Sequence, residues 1–392
     1  MTSKCCFTIG VILGLVFVCT NAQEKVFNVL SYGAKADGMT DDSEAFLNGW
    51  RDACIWNGNG TLLIPSGVYM INGAVFKGPC NGSVTTFEMK GVIKAPTDPN
   101  IFCNTGSWIA FQYIHGLDIK GHGTFDGQGD CAWGKHQCET LPHTLALNFV
   151  HNFVVHDIHS INSKGVHVKV FQSNNARFRH VQIAAPENSP NTDGIHISYS
   201  TNMHIADSNI GTGDDCISII DGSQSINITG ITCGPGHGIS IGSLGKLSKP
   251  KIVKDIHVKN CTLINTQNGV RIKSWASTIT GMATNIIFDD ITIIKASNPI
   301  IIDQHYCPER NCSGSTQESC VQIKDVTFNN IRGSSSSKAA VSLDCSATYP
   351  CKGIMLNDIN LEYDAPDGPA ISTCAHANGK ATGTELPPSC LN

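Results

Sequence analysis

Three short strings carry groups suited to acid–base chemistry: Asn191-Thr192-Asp193-Gly194, Gly213-Asp214-Asp215-Cys216 and Gly236-His237-Gly238. Arg271 and Lys273 follow them. Each string runs into a brief apolar alternation: Gly194-Ile195-His196-Ile197, Cys216-Ile217-Ser218-Ile219 and Gly238-Ile239-Ser240-Ile241. The step from 194 to 216 and from 216 to 238 is the same, 22 residues. Residues that recur at one place in a repeating coil stack in space. The spacing therefore predicts one patch containing Asp193, Asp214, Asp215 and His237. Aligning the strands on Gly194, Cys216, Gly238 and Gly269 puts Asp193, Asp215, His237 and Asn268 in a column, with rungs about 4.8 Å apart.

Three carboxylates this close cannot all ionise comfortably. One is expected to hold its proton near neutral pH, as a general acid must. Glycoside hydrolysis needs such an acid to protonate the leaving oxygen, with a base or nucleophile opposite. A separation of about 6.5–9.5 Å gives inversion and about 5 Å retention, a choice the spacing in sequence does not make. Arg271 and Lys273, two apart on a strand, point to one side, and fixed positive charge suits a sugar that carries a carboxylate. Taken singly, each string has a plainer reading as a turn, a bend or calcium ligand, or a loop histidine. Their shared register on consecutive coils is what favours a site.

The elements that must hold these groups in place are short strands. Copies such as Ser200–Ile210, Ser225–Thr232, Val253–Leu263, Ala283–Ile293, Ile323–Ile331 and Gly353–Leu361 each read as two alternating strands joined by a polar bend, often Asn or Asp. A third strand falls between copies, at Gly165–Val168, Gly194–Ile197, Gly269–Ile272 and Ala340–Leu343. Units of this kind predict an all-β chain, a right-handed parallel β-helix (solenoid). Ile195, Ile197, Ile217, Ile219, Ile239, Ile241, Val270 and Ile272 are expected to line its core, and His196, Ser218, Ser240 and Arg271 one outer face. An antiparallel β-sandwich does not predict such in-register recurrence. Near the start, Asp41-Asp42-Ser43 is placed to cap a short helix running to about Cys54, an N-terminal cap over the open end of the stack.

Residues 1–22 read as a secretory signal: Lys4, an apolar run from Ile9 to Val18, and a small-residue cleavage site at Thr20-Asn21-Ala22. The remainder, 23–392, is expected to be a single secreted β-helix catalytic domain. Of 18 cysteines, Cys5, Cys6 and Cys19 fall in the signal and leave 15, an odd number that suits disulfides in a secreted chain with at least one thiol over. Cys345/Cys351, Cys374/Cys390 and Cys216/Cys233 are the pairs expected. No Cys-x-x-Cys occurs, so a zinc site is not expected. The net charge of −5 bears on solubility rather than on substrate. Lys246, Lys249, Lys251 and Lys254 read as a solvated loop face. Nucleic acid is a poor partner for them, since aromatics are not interleaved. His151, His156 and His159 read as surface residues, since His151 and His156 lie outside the aligned column and no carboxylate motif accompanies them. Asn59, Asn81, Asn227, Asn260 and Asn311 head glycosylation triplets.

In this order and spacing, Asn-Thr-Asp-Gly, Gly-Asp-Asp-Cys, Gly-His-Gly-Ile-Ser-Ile-Gly-Ser and Arg-Ile-Lys resemble the polygalacturonase family of glycoside hydrolases. So does the opening from Phe27, Phe-Asn-Val-Leu-Ser-Tyr-Gly-Ala-Lys-Ala-Asp-Gly. The resemblance covers essentially the whole chain after the signal. It implies a right-handed β-helix that hydrolyses α-1,4-galacturonosyl linkages of polygalacturonate (pectin) with inversion, using no metal and no cofactor. By the same resemblance Asp214 matches the proton donor, and Asp193 and Asp215 the pair that activates water. His237 matches the histidine that tunes the acid or binds substrate. Arg271 and Lys273 match the residues that grip the galacturonate carboxylate, and Asn191 joins them in substrate binding. The overall pattern is most similar to plant, pollen-type exopolygalacturonases. That implies exo action in the cell wall by an extracellular monomer, with no nucleic-acid or membrane partner. The alternatives are an endo-acting polygalacturonase, a calcium-dependent pectate lyase, a rhamnogalacturonan hydrolase and a non-catalytic wall-binding protein.

Overall fold

Side chains alternate in and out along the predicted strands, and parallel pairing carries that alternation from coil to coil. In the computed structural model Val168 faces Ile195, Ile195 faces Ile217, Ile217 faces Ile239, Ile239 faces Val270 and Val270 faces Ile300. The 22-residue step is thus one turn of a coil. The structure describes residues 5–10, 15–20, 23–103, 105–134, 138–246, 251–308, 317–363, 366 and 368–391. Strands Val168–Phe171, Ile195–Ser198, Ile217–Ile219, Ile239–Leu244, Asn268–Trp275 and Asn298–Tyr306 are central members of an 11-stranded sheet. A 19-stranded sheet forms the other wall, with long bent strands such as Lys251–Ile264 and Gly281–Ala296. Pairing within both sheets is parallel, and parallel crossovers are right-handed. The chain is a right-handed parallel β-helix.

The core is the aliphatic ladder that the alternation predicts. Ile195, Ile197, Ile217, Ile219, Ile239, Ile241, Val270 and Ile272 are all 0% exposed, each side chain stabilising the coil by about 1.5–3 kcal/mol relative to exposure. The polar bends use left-handed backbone, which Asn tolerates better than most residues. Asn152, Asn175 and Asn202 have φ of 55°, 55° and 57°. Their side chains stack as well: Asn175 Nδ2 donates to Asn152 Oδ1 at 2.8 Å, and Asn202 Nδ2 donates to Asn175 Oδ1 at 2.6 Å.

The end-capping helix spans Ser43–Ile55 and buries Phe46, Trp50 and Ala53. Its start differs in detail from the expectation. Asp42 makes no capping bond; its carboxylate turns back to accept from the Lys35 and Ala36 backbone N–H groups. Asp41 Oδ1 accepts from the Ser43 N–H instead, at 3.0 Å. The strand expected at Gly165–Val168 begins only at Val168, because that residue is the one in register with Leu145 and Ile195. The signal segment lies partly outside the described residues; Cys5–Gly10 and Leu15–Thr20 within it pair antiparallel with each other. Lys249 and Asn311 also lie outside. Among the described residues, no helix is long and apolar enough to cross a membrane.

Disulfides join Cys216 to Cys233, Cys345 to Cys351 and Cys374 to Cys390, as expected, and also Cys54 to Cys80 and Cys103 to Cys138. Cys131, Cys261 and Cys320 are free thiols.

Candidate active site

The three strings occupy the same corner of successive coils, each just before its strand in the 11-stranded sheet. Backbone bonds lock the corners together. Gly194 N–H donates to the Asp215 carbonyl at 2.9 Å, and His237 N–H to the Asp214 carbonyl at 2.8 Å. Thr192, buried within its string, accepts from the Gly213 N–H at 3.1 Å. The glycines here leave no room for a side chain. A Cβ on Gly213 would lie 2.0 Å from the Ser189 carbonyl oxygen, and one on Gly238 (φ 84°) 2.2 Å from that of Asn268. Cys216, next to Asp215, is tied across the coil to Cys233 in the 19-stranded sheet.

The side chains sort into three environments. Asp215 is deepest, at 1% exposure. Its Oδ1 accepts from Arg271 Nη2 at 2.6 Å and Ser240 Oγ at 2.8 Å, and its Oδ2 from Lys273 Nζ at 2.8 Å. Arg271 Nε also donates to Ser240 Oγ, at 2.9 Å. Asp193 is half-buried. Ser218 Oγ donates to its Oδ2 at 2.6 Å, and His196 Nδ1 lies 2.7 Å from that hydroxyl and 3.5 Å from Oδ2. Asp214 stands at the mouth, where its Oδ1 accepts from the Asp215 N–H at 2.8 Å and lies 3.1 Å from His237 Nδ1.

These environments drive two carboxyls apart. Burial pushes the Asp214 carboxyl up, the neighbouring charges of Asp193 and Asp215 add to it, and the His237 contact offsets only part. Burial pushes Asp193 up too, but the His196 and Ser218 contacts and the Lys273 charge outweigh it and bring Asp193 down to about 2. Burial disfavours the Arg271 cation, yet Asp215 beside it keeps its pKa raised. Asp214 therefore keeps its proton to higher pH than Asp193 does. That division suits general acid and general base.

Donor atoms of Asp214, Asp215 and His237 lie within 4.8 Å of one another, a spacing that a cation could also use. The donor set argues otherwise, since Asp215 already accepts from a guanidinium, an ammonium and a hydroxyl.

Asp193, Asp214, Asp215, His237, Arg271 and Lys273 are therefore brought together. Arg271 and Lys273 differ from a pair standing open to solvent, because both bond to Asp215. Asn191 is exposed, with φ 54°, and among the described residues makes no hydrogen bond to the group. Four participants carry no role assigned from sequence. His196, Ser218 and Ser240 fall on the expected outer face, and their 22-residue step is the available signal. Tyr306, whose ring centroid lies 5.0 Å from Lys273 Nζ and 5.9 Å from the Arg271 guanidinium carbon, carries no such signal. A cleft of about 500 Å³ opens beside His237, its wall including Glu187, Gln267 and Lys295. His151, His156 and His159 lie on the other sheet, away from the site; His159 is exposed as expected, whereas His151 and His156 are half-buried, His156 against Asp118 and Asp157.

Comparison with known proteins finds that the profile of Glycosyl hydrolases family 28 matches residues 54–383. An exopolygalacturonase of Platanus acerifolia is 44% identical over 93% of this chain and 97% of its own. A polygalacturonase of Prunus persica is 42% identical over 98% of each chain. Among solved structures, the endo-xylogalacturonan hydrolase of Aspergillus tubingensis superposes with a TM-score of 0.79 at 24% identity, covering 92% of this chain and all of that one. The exopolygalacturonase of Thermotoga maritima gives 0.74 at 22% identity, covering 87% and 88%. Both structural likenesses speak to the fold.

Proposed function

This chain belongs to glycosyl hydrolases family 28, and from that membership we propose that it is an exo-acting polygalacturonase. It hydrolyses α-1,4-galacturonosyl linkages of polygalacturonate and releases galacturonate. Relatives named polygalacturonase and exopolygalacturonase, matched along nearly their full length, support the substrate and the exo mode. The observation that carries the mechanism is geometric: Asp214 stands at the mouth against His237, and Asp193 is held by Ser218 and His196, so that burial and neighbouring charge push Asp214 up while its partners hold Asp193 down.

Asp214 is the acid. Its proton passes to the glycosidic oxygen as the bond from C1 to that oxygen breaks. Asp193 is the base and takes a proton from the water whose oxygen bonds to C1. A carboxylate offers about four lone-pair sites, and Asp215 uses three on Arg271, Ser240 and Lys273. The remaining one, on Oδ2, orients the same water. Attack by a separate water gives inversion. His237 positions and tunes Asp214. Arg271 and Lys273 keep further N–H donors for a uronate carboxylate, and Asn191 contributes from the loop.

The signal-like N-terminus and the relatives named polygalacturonase support secretion to the cell wall. The enzyme works as a monomer, without cofactor, nucleic acid or membrane. Digestion of polygalacturonic acid with EDTA present tests this, following reducing ends, viscosity and product size. Monomer released with little loss of viscosity is the expected result. Mixed oligomers with rapid thinning would replace exo by endo action. Unsaturated product absorbing near 235 nm, or no release at all, would overturn the hydrolase.

A further inference from the structure

One cation in the outward column beside the reacting carboxyls is left over by this mechanism. The outward column reads Ala146, Lys169, His196, Ser218, Ser240, Arg271, Ile301, one residue per rung. It is polar over five consecutive rungs and apolar on either side. His196 and Ser218 serve Asp193, and Ser240 and Arg271 serve Asp215. Lys169, at the far end of the strip from Arg271, serves neither.

Its setting is unusual for a lysine. Val168 and Val170 on either side point into the core at 0% exposure, so Lys169 points out over the face and is half-buried there. Its Nζ lies 3.3 Å from His143 Nε2. Among the described residues, no carboxylate lies within ion-pair distance of it. Burial, followed by the Lys169 charge, holds His143 down at about 3, so the imidazole is neutral and accepts from the ammonium. That contact takes one of three N–H donors. Two remain, on a charge partly withdrawn from water and without a counter-ion, an arrangement that costs free energy until an anion arrives.

Resting on the reading above, we propose that Lys169, positioned by His143, binds the carboxylate of a second uronate, adjacent to the sugar cleaved at Asp193 and Asp214. Lys169 is one rung from His196, about 4.8 Å along the coil, and His196 reaches Asp193. The strip thus has a cation at each end and the reacting carboxyls between them. A site for neutral hydroxyls needs no charge, and a merely structural lysine gains nothing by lacking a partner.

Steady-state kinetics of Lys169→Met and Lys169→Arg on polygalacturonate test the assignment, with Lys169→Arg as the rescue. The expected result is a rise in KM of roughly 10- to 100-fold for Lys169→Met, the size of a lost charge-assisted hydrogen bond. The loss falls on KM more than on kcat, and Lys169→Arg recovers most of it. Calorimetry in an Asp214→Asn background adds a second readout. There, Lys169→Met should weaken trigalacturonate by a similar factor and leave its methyl ester unaffected. An unchanged KM, or equal loss for the acid and the ester, would overturn the site. Should the wild-type protein fail to cleave polygalacturonate, the proposed reaction falls, and the acid-against-ester comparison still decides Lys169.

Discussion

Ser218 and Ser240 stand opposite each other on adjacent rungs, and each donates to the aspartate 25 residues before it. Ser218 reaches Asp193 at 2.6 Å and Ser240 reaches Asp215 at 2.8 Å. Each hydroxyl also meets a group from the next rung on its outer side, His196 for Ser218 and Arg271 for Ser240. One repeat unit has been used twice, to hold two carboxylates in place.

This arrangement sets the pH limbs. Asp193 must be ionised, so activity falls with acid as it protonates. Asp214 must be protonated, so activity falls with alkali as it ionises. The Ser218→Ala variant loses a donor that lowers Asp193, leaving burial less opposed; its acid limb should move to higher pH. Replacing His237 by Ala removes contacts that lower Asp214, so the alkaline limb should also move to higher pH. Profiles of kcat/KM against pH for both variants would show this, and limbs that stay put or move down would contradict it.

Asp215 makes a separate prediction about stability. It is buried and bonded to two buried cations, and removing one partner of such a pair costs about 3–5 kcal/mol. Lys273→Met should lower the urea midpoint accordingly, as well as raising KM for the acidic polymer. Adding Asp215→Asn should restore part of the stability and none of the activity. A Lys273→Met protein as stable as wild type would mean that the ion pair is not formed in solution.

The disulfide beside the carboxylates closes a loop with a sequence separation of 17. Loops of that length contribute about 3 kcal/mol through the unfolded chain. Replacing Cys216 and Cys233 by Ser should cost about that much and reduce kcat, since Asp215 adjoins Cys216. Loss of stability with no loss of kcat would make the bridge a staple only.

Recurrence made most of this readable in advance. A fixed 22-residue step says which residue stands above which, so the ladder of Ile195, Ile217 and Ile239 and the column of Asp193 and Asp215 follow directly. It does not say which neighbour a long side chain selects. Arg271 and Lys273 are expected from their spacing to face the substrate, yet both reach back to Asp215, because a buried carboxylate is a stronger attractor than solvent. Asp42 shows the same limit at the helix cap, where the backbone of Lys35 and Ala36 competes for its oxygens. Tyr306 could not be placed beforehand, since it lies past an irregularity in the strand pairing that breaks the register.

The division of labour between Asp214 and Asp193 is tested most directly by the Asp214→Asn variant. Polygalacturonate turnover should fall by about 10²–10⁴-fold, the worth of a positioned proton donor, with circular dichroism and melting temperature close to wild type. A folded Asp214→Asn protein that still hydrolyses polygalacturonate at near the wild-type rate would contradict the assignment of the acid, and with it the mechanism.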